Sequence, residues 1–276
     1  GERRATLLAL HGLNDYRQAF ASTGDYLARR GIEVIAYDQR GFGASDGQGL
    51  WHGSARLIQD LQTMIALLRA DSSARPLYLL GESMGGAVVL AAAKRGVLAV
   101  DGIVLVAPAV WSRDSMPYYQ RWALWLMAHL APSMELTGEG LDLHPSDNIE
   151  MLRALGRDPL VIKATRVDVL YGVSNLMDHA VAGDPRLAVR TLILYGQHDD
   201  IIPRGPTCRW LDSFPADATA LRQVVIYAEG YHMLTRDLQA EVVLEDIADW
   251  MSEGALASDR QDINRLQSFC MAVLED

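Results

Sequence analysis

A short apolar run, Leu77 to Leu80, leads straight into Gly81-Glu82-Ser83-Met84-Gly85-Gly86, and Ala87 to Ala93 after it is apolar on nearly every face. A brief apolar run bounded by turn residues reads as a strand buried on both faces, and an all-round apolar stretch reads as a deeply buried helix. The corner between them must be sharp. Glycines on both sides of Ser83 let strand and helix approach with no Cβ in between. The serine is thereby driven toward a strained backbone conformation and carried to a helix N-terminus, where the dipole favours developing negative charge.

The rest of the chain fits a sheet that such a corner requires. Thr6 to Leu10, Ile32 to Tyr37 and Ile103 to Val106 are similar apolar runs, and Thr191 to Tyr195 and Gln223 to Tyr227 follow late. Between several of them lie helical patterns; Leu57, Ile58, Leu61, Met64, Ile65 and Leu68 recur at helical spacing. Alternating strands and helices predict an α/β fold, a mostly parallel sheet with helices on both faces. One stretch breaks the rhythm. From Trp111 to Asp184 no strand is expected, yet Trp111, Tyr118, Tyr119, Trp122, Trp125, Met127, Met134 and Met151 crowd it. It is too long and apolar for a loop and reads as a helical insertion between two sheet strands. The expected division is therefore a core of 1–110 and 185–253, an insertion of 111–184, and a tail of 254–276. In the tail, Ser252 to Ser258 reads as a linker before a last helix with Ile263, Leu266, Phe269, Cys270 and Val273 on one side. Docking on the body and pairing with another subunit are both open for that helix.

Composition removes several functions. With a formal net charge of -10 the chain lacks the clustered cations that nucleic-acid binding requires, so no nucleic-acid partner is expected. No apolar run is long enough to span a bilayer. Two cysteines, Cys208 and Cys270, exclude a disulfide framework, and separate thiols are the expected reading. No cluster of His, Cys, Asp and Glu has metal-ligand spacing, so neither metal nor cofactor is expected.

A serine hydroxyl becomes a nucleophile only with a base, and the base needs an orienting acid. Asp199 follows the run Thr191 to Tyr195 in Gly196-Gln197-His198-Asp199-Asp200, and His232 follows Gln223 to Tyr227 in Glu229-Gly230-Tyr231-His232. Taken singly, these are equally a turn carboxylate and a loop histidine. Together they stand in the order Ser83, Asp199, His232, each just past the carboxyl end of a strand, where parallel sheets gather their catalytic groups. His52, His129, His144 and His179 lack that setting. An acyl-transfer site also needs donors for an oxyanion. The expected ones are the backbone N–H of Met84, after the nucleophile, and that of Leu13, in His11-Gly12-Leu13-Asn14-Asp15 after the first strand.

These blocks, with Asp38-x-Arg40-Gly41-x-Gly43-x-Ser45, resemble the monoacylglycerol lipase/lysophospholipase branch of the α/β-hydrolases, over roughly Thr6 to Trp250. Gly196-x-x-Asp199 in that pattern favours Asp199 over Asp200 as the acid. The resemblance implies an α/β-hydrolase fold, a helical cap at 111–184, and hydrolysis of an acyl ester (a monoacylglycerol or lysophospholipid) through an acyl-enzyme on Ser83. It implies a small-molecule ester as partner, with transient contact to lipid aggregates or a membrane surface. Short-chain carboxylesterases, thioesterases and perhydrolases share the same triad and stay open as alternatives. A non-catalytic ligand-binding protein on this fold is the rival from another class. Members of the branch carry a strand pair before the His-Gly strand, whereas here that strand starts within a few residues of Gly1. A cytoplasmic chain is expected, unless a signal or lipid anchor precedes Gly1.

Overall fold

The computed structural model describes residues 3–71, 75–184, 187–215, 221–256 and 263–271. Six parallel strands form one sheet in the order β2-β1-β3-β4-β7-β8: β1 Ala5–Leu10, β2 Ile32–Ala36, β3 Leu77–Glu82, β4 Gly102–Val106, β7 Thr191–Gly196 and β8 Arg222–Tyr227. The six runs expected from sequence are these strands, each within a residue or two of the expected bounds. β1, β3, β4 and β7 are buried along their whole length, because helices cover both faces.

Although these strands read as unbroken apolar runs, their side chains divide by the two-residue period of a strand. Leu8, Leu10, Leu77, Leu79, Ile103, Leu105, Ile193 and Tyr195 enter one core, with α2 Ser54–Asp71 and α3 Met84–Ala93 packed over them. Leu7, Ala9, Tyr78, Leu80, Val104, Val106, Leu192 and Leu194 enter the other, under α1 Ala21–Ala28 and α8 Ala240–Glu253. Each leucine so buried contributes about 1.5–3 kcal/mol relative to leaving it exposed. A polar residue at Leu79 or Leu105 would fall in a fully buried position on the α3 side of the sheet. That helix is buried on every side from Met84 to Ala92, as its composition requires.

The chain leaves the sheet after β4 and returns at β7. In between lie α4 Tyr118–Leu130, α5 Ile149–Arg157 and α6 Val167–Val181. The expectation of no strand here is corrected: β5 Glu135–Thr137 and β6 Ala164–Arg166 pair antiparallel. Each has three residues, too few to show an alternating pattern in sequence. Trp111 and Met116 pack on the core, but Tyr118, Tyr119, Trp122, Trp125 and Met134 are exposed.

Two corrections concern the C-terminal region. Cys208 of α7 Arg204–Asp212 and Cys270 of α9 Ile263–Met271 form a disulfide, not two thiols. A separation of 62 residues gave no local signal of the pairing. The helix docks on the body: Phe269 is buried against Tyr195, and Arg204 stacks over the Phe269 ring. The expected linker starts later than Ser252, because α8 runs to Glu253 and is stopped by Gly254 in the left-handed region at φ 88°. Residues 257–262 and Val273 lie outside the described residues.

Candidate active site

Ser83 joins β3 to α3 with φ 53° and ψ −115°, a conformation that side-chain-bearing residues rarely adopt. Its neighbours hold it there. The Ser83 N–H donates to Val106 O at 3.0 Å, and its carbonyl accepts from Ala87 N at 3.1 Å and Ala109 N at 3.0 Å. A Cβ on Gly81 would stand 2.6 Å from Gly86 Cα, and one on Gly85 2.2 Å from Leu10 O. The elbow thus closes only with glycine at these positions. Met84 opens α3, so its N–H belongs to the first turn, whose donors have no partner within the helix.

β7 and β8 bring an acid and a base together. Asp199 Oδ2 lies 2.9 Å from His232 Nδ1, with both side chains almost wholly buried. The other carboxylate oxygen accepts from Ile201 N at 2.9 Å and Ile202 N at 3.0 Å, so Asp199 is oriented by its own turn. The two loops touch through backbone: a Cβ on Gly196 would lie 2.4 Å from the Gly230 carbonyl, and His198 N donates to Gly230 O at 2.9 Å. A hydrogen bond from Nδ1–H to Asp199 leaves Nε2 as the free acceptor of a neutral ring. Burial pushes the His232 imidazole down, but the Asp199 charge and hydrogen bond, aided by Glu82 and opposed by Arg236, raise it above the ordinary 6.5. Asp200, the neighbouring carboxylate, instead faces His144 at 3.5 Å.

Ser83 stands past the end of β3, and β4 lies between that strand and β7. Among the described residues its Oγ makes no hydrogen bond, so the join between the two halves runs through Glu82. Glu82 accepts from Thr235 Oγ1 at 3.2 Å and from Arg236 Nη2 at 2.8 Å, three and four residues after His232.

The loop after β1 lies against the serine, with Gly12 so close that a Cβ there would be 3.3 Å from Ser83 Cβ. His11 secures that loop. Its Nε2 accepts from Gln39 N at 2.9 Å, which makes Nδ1 the protonated nitrogen, donating to Gly12 O at 2.8 Å. Full burial lowers the His11 pKa against the contrary pull of that bond and of nearby carboxylates, which keeps the ring neutral. Leu13 follows at once and is half-buried.

Sequence reasoning missed several residues that tie these loops together. Asp15 and Glu82 both meet Arg236. Asn14 Nδ2 donates to Thr165 Oγ1 at 2.7 Å, Tyr16 Oη to Asp158 Oδ2 at 2.6 Å, and Ser146 Oγ to Asp237 Oδ1 at 2.6 Å. The Asp158 bond, with burial, pushes the Tyr16 phenol up to about 12. These bonds pin residues 146–165 to both site loops, while α4 packs outward on α6. A cavity of about 470 Å³ is lined by Arg113, Tyr118, Arg121, Trp122, Trp125 and Tyr171, none of them a candidate catalytic residue. The one available signal was Glu82, a charge inside a wholly buried strand that had to have a partner.

Residues 1–239 match the family model Hydrolase_4, described as serine aminopeptidase, S33. The chain belongs to this α/β-hydrolase family. It is 25% identical over 254 residues to the monoacylglycerol lipase of Mycolicibacterium smegmatis, covering 90% of this chain and 88% of that one. It is 26% identical to the monoglyceride lipase of Rattus norvegicus, covering 91% and 84%. Its fold is that of the Paleococcus ferrophilus monoacylglycerol lipase, with a TM-score of 0.77 at 22% identity over 92% of this chain and 96% of that chain. A soluble variant of Saccharomyces cerevisiae monoglyceride lipase, crystallised with a substrate analog, superposes with a TM-score of 0.78 at 20% identity, covering 93% and 89%.

Proposed function

We propose that this hydrolase cleaves carboxylic esters carrying an acyl chain, of the monoacylglycerol or lysophospholipid class, through an acyl-enzyme on Ser83. The observation that carries the reading is a strained elbow serine past the end of β3 in a fold that also holds, past β7 and β8, a buried histidine hydrogen-bonded to Asp199. The curated relatives named monoacylglycerol and monoglyceride lipases support the substrate class.

Neutral His232 takes the Ser83 proton on Nε2 as Oγ attacks the ester carbonyl, and Asp199 stabilises the imidazolium that forms. The N–H groups of Leu13 and Met84 receive the oxyanion. The tetrahedral adduct collapses, the ester C–O bond breaks, and His232 returns the proton to the leaving alcohol. Water then gives its proton to His232 and attacks the acyl-enzyme, releasing the carboxylic acid and restoring Ser83. In this reading 111–184 is a cap on a core of 1–110 and 185–253, and 254–276 is a C-terminal linker and helix. The exposed rings of Tyr118, at 76%, and Trp122, at 66%, suit a cap that rests on lipid aggregates, since such rings favour an apolar–water boundary.

A chain-length series of p-nitrophenyl and monoacylglycerol esters tests the substrate class. Turnover that grows with acyl length supports it. Activity confined to acetate and butyrate, or to amino-acid anilides, overturns it.

A further inference from the structure

Arg236 is 8% exposed and Glu82 2%, yet neither charge touches the reacting groups. The guanidinium reaches Asp15 Oδ2 through Nη1 at 2.7 Å and Glu82 Oε1 through Nη2 at 2.8 Å. Each partner adjoins one part of the site. Asp15 lies two residues after Leu13, Glu82 directly precedes Ser83, and Arg236 lies four residues after His232. We propose that Arg236 is a positioning residue that holds the loop after β1, the serine elbow and the His232 loop in one register.

This inference rests on the catalytic reading of Ser83 and His232. A buried ion pair is weak evidence for stability, because apolar side chains of similar volume often serve equally well. A guanidinium does what they do not: it holds a hydrogen bond to Glu82 and an ion pair to Asp15 at once. Both carboxylates are themselves constrained. Asp15 Oδ1 accepts from Tyr16 N at 2.9 Å, and Glu82 Oε2 accepts from Thr235 Oγ1 at 3.2 Å. The Arg236 backbone is held as firmly, its N–H donating to Met233 O at 2.7 Å and its carbonyl accepting from Asn148 Nδ2 at 2.9 Å. A shift of the guanidinium therefore moves the oxyanion loop, the nucleophile and the base relative to one another. Glu82 also supports the His232 imidazolium, and Arg236 opposes it.

Arg236→Met alone strands two buried carboxylates and can fail to fold, so the decisive variant is the triple Asp15→Asn, Glu82→Gln, Arg236→Met. Thermal stability, kcat and KM on a p-nitrophenyl ester, and native-state amide exchange are read on the full chain. The expected triple variant melts near the wild type, loses about 100-fold in kcat as displaced catalytic groups do, and keeps KM. Exchange quickens together in peptides covering 11–16, 81–85 and 230–237, with 54–71 unchanged. A folded triple variant with wild-type kcat, or faster exchange confined to 230–237, overturns the proposal. If the wild type turns over no ester, the catalytic reading fails by itself, and the exchange pattern still decides whether Arg236 ties the loops.

Discussion

His232 Nδ1 and Asp199 Oδ2 lie 2.9 Å apart across the ends of β8 and β7, and the far oxygen of the same carboxylate is held by the N–H groups of Ile201 and Ile202. The acid is thus fixed before it fixes the base. Because the imidazole pKa is raised above 6.5, the basic ring that attack requires appears only as pH climbs past that raised value. The acid limb of kcat/KM is therefore expected above pH 6.5. Asp199→Asn removes the largest raising cause, so the limb moves to lower pH while kcat falls about 10⁴-fold. Stability follows the same group: the raised pKa favours the fold at low pH, and that benefit fades as pH rises through the folded value. Asp199→Asn flattens this part of the profile. Steady-state pH profiles and thermal melts check both.

The elbow glycines make a steric prediction. Gly85→Ala puts a methyl group 2.2 Å from the carbonyl oxygen of Leu10, part of a strand backbone that has no freedom to yield. The expected cost is about 1–3 kcal/mol or more, as in overpacked cores, with activity lost beyond what the stability loss explains. Ala87→Gly on the same helix serves as the comparison in a denaturant titration.

Cys208–Cys270 closes a loop across 62 residues. A disulfide typically contributes about 2–4 kcal/mol, mainly by restricting the unfolded chain. Cys270→Ser should lower the melting temperature accordingly and leave room-temperature kcat close to wild type, since α9 supplies none of the candidate catalytic residues. A thiol titration of the denatured, unreduced chain should find no free thiol. Two reactive thiols under non-reducing conditions would contradict the pairing.

The outward rings of α4 give a substrate-dependent prediction. Replacing Trp122 and Trp125 with serine should weaken turnover of aggregated monoacylglycerol by about tenfold, on the order of the apolar area withdrawn from the lipid boundary, and leave soluble p-nitrophenyl esters unaffected. Vesicle co-sedimentation of the two proteins checks the same point without catalysis.

Much of the fold was legible because β1, β3, β4 and β7 are buried on both faces, and such strands write themselves as short apolar runs. Ser83, Asp199 and His232 were legible as candidates because each stands just past a strand end, in a fixed order. The three-residue strands β5 and β6 had too few positions to show a period. The exposure of the α4 rings was not legible, because an aromatic-rich helix has the same sequence whether it faces a core or water. Cys208 and Cys270 meet only through the docking of α9, a tertiary event with no local trace. Arg236 escaped for a related reason. Its partners lie on β3 and beyond β1, and nothing near His232 marks it.

The most direct test of the account is covalent labelling of Ser83. A fluorophosphonate probe should modify the wild type with one equivalent, mapped by mass spectrometry to the peptide holding Gly81-Glu82-Ser83-Met84-Gly85, and should leave Ser83→Ala untouched. His232→Gln should slow the labelling by about 10³-fold or more. A wild type that takes no label, or a Ser83→Ala variant labelled as readily, would contradict the assignment of Ser83 as the nucleophile.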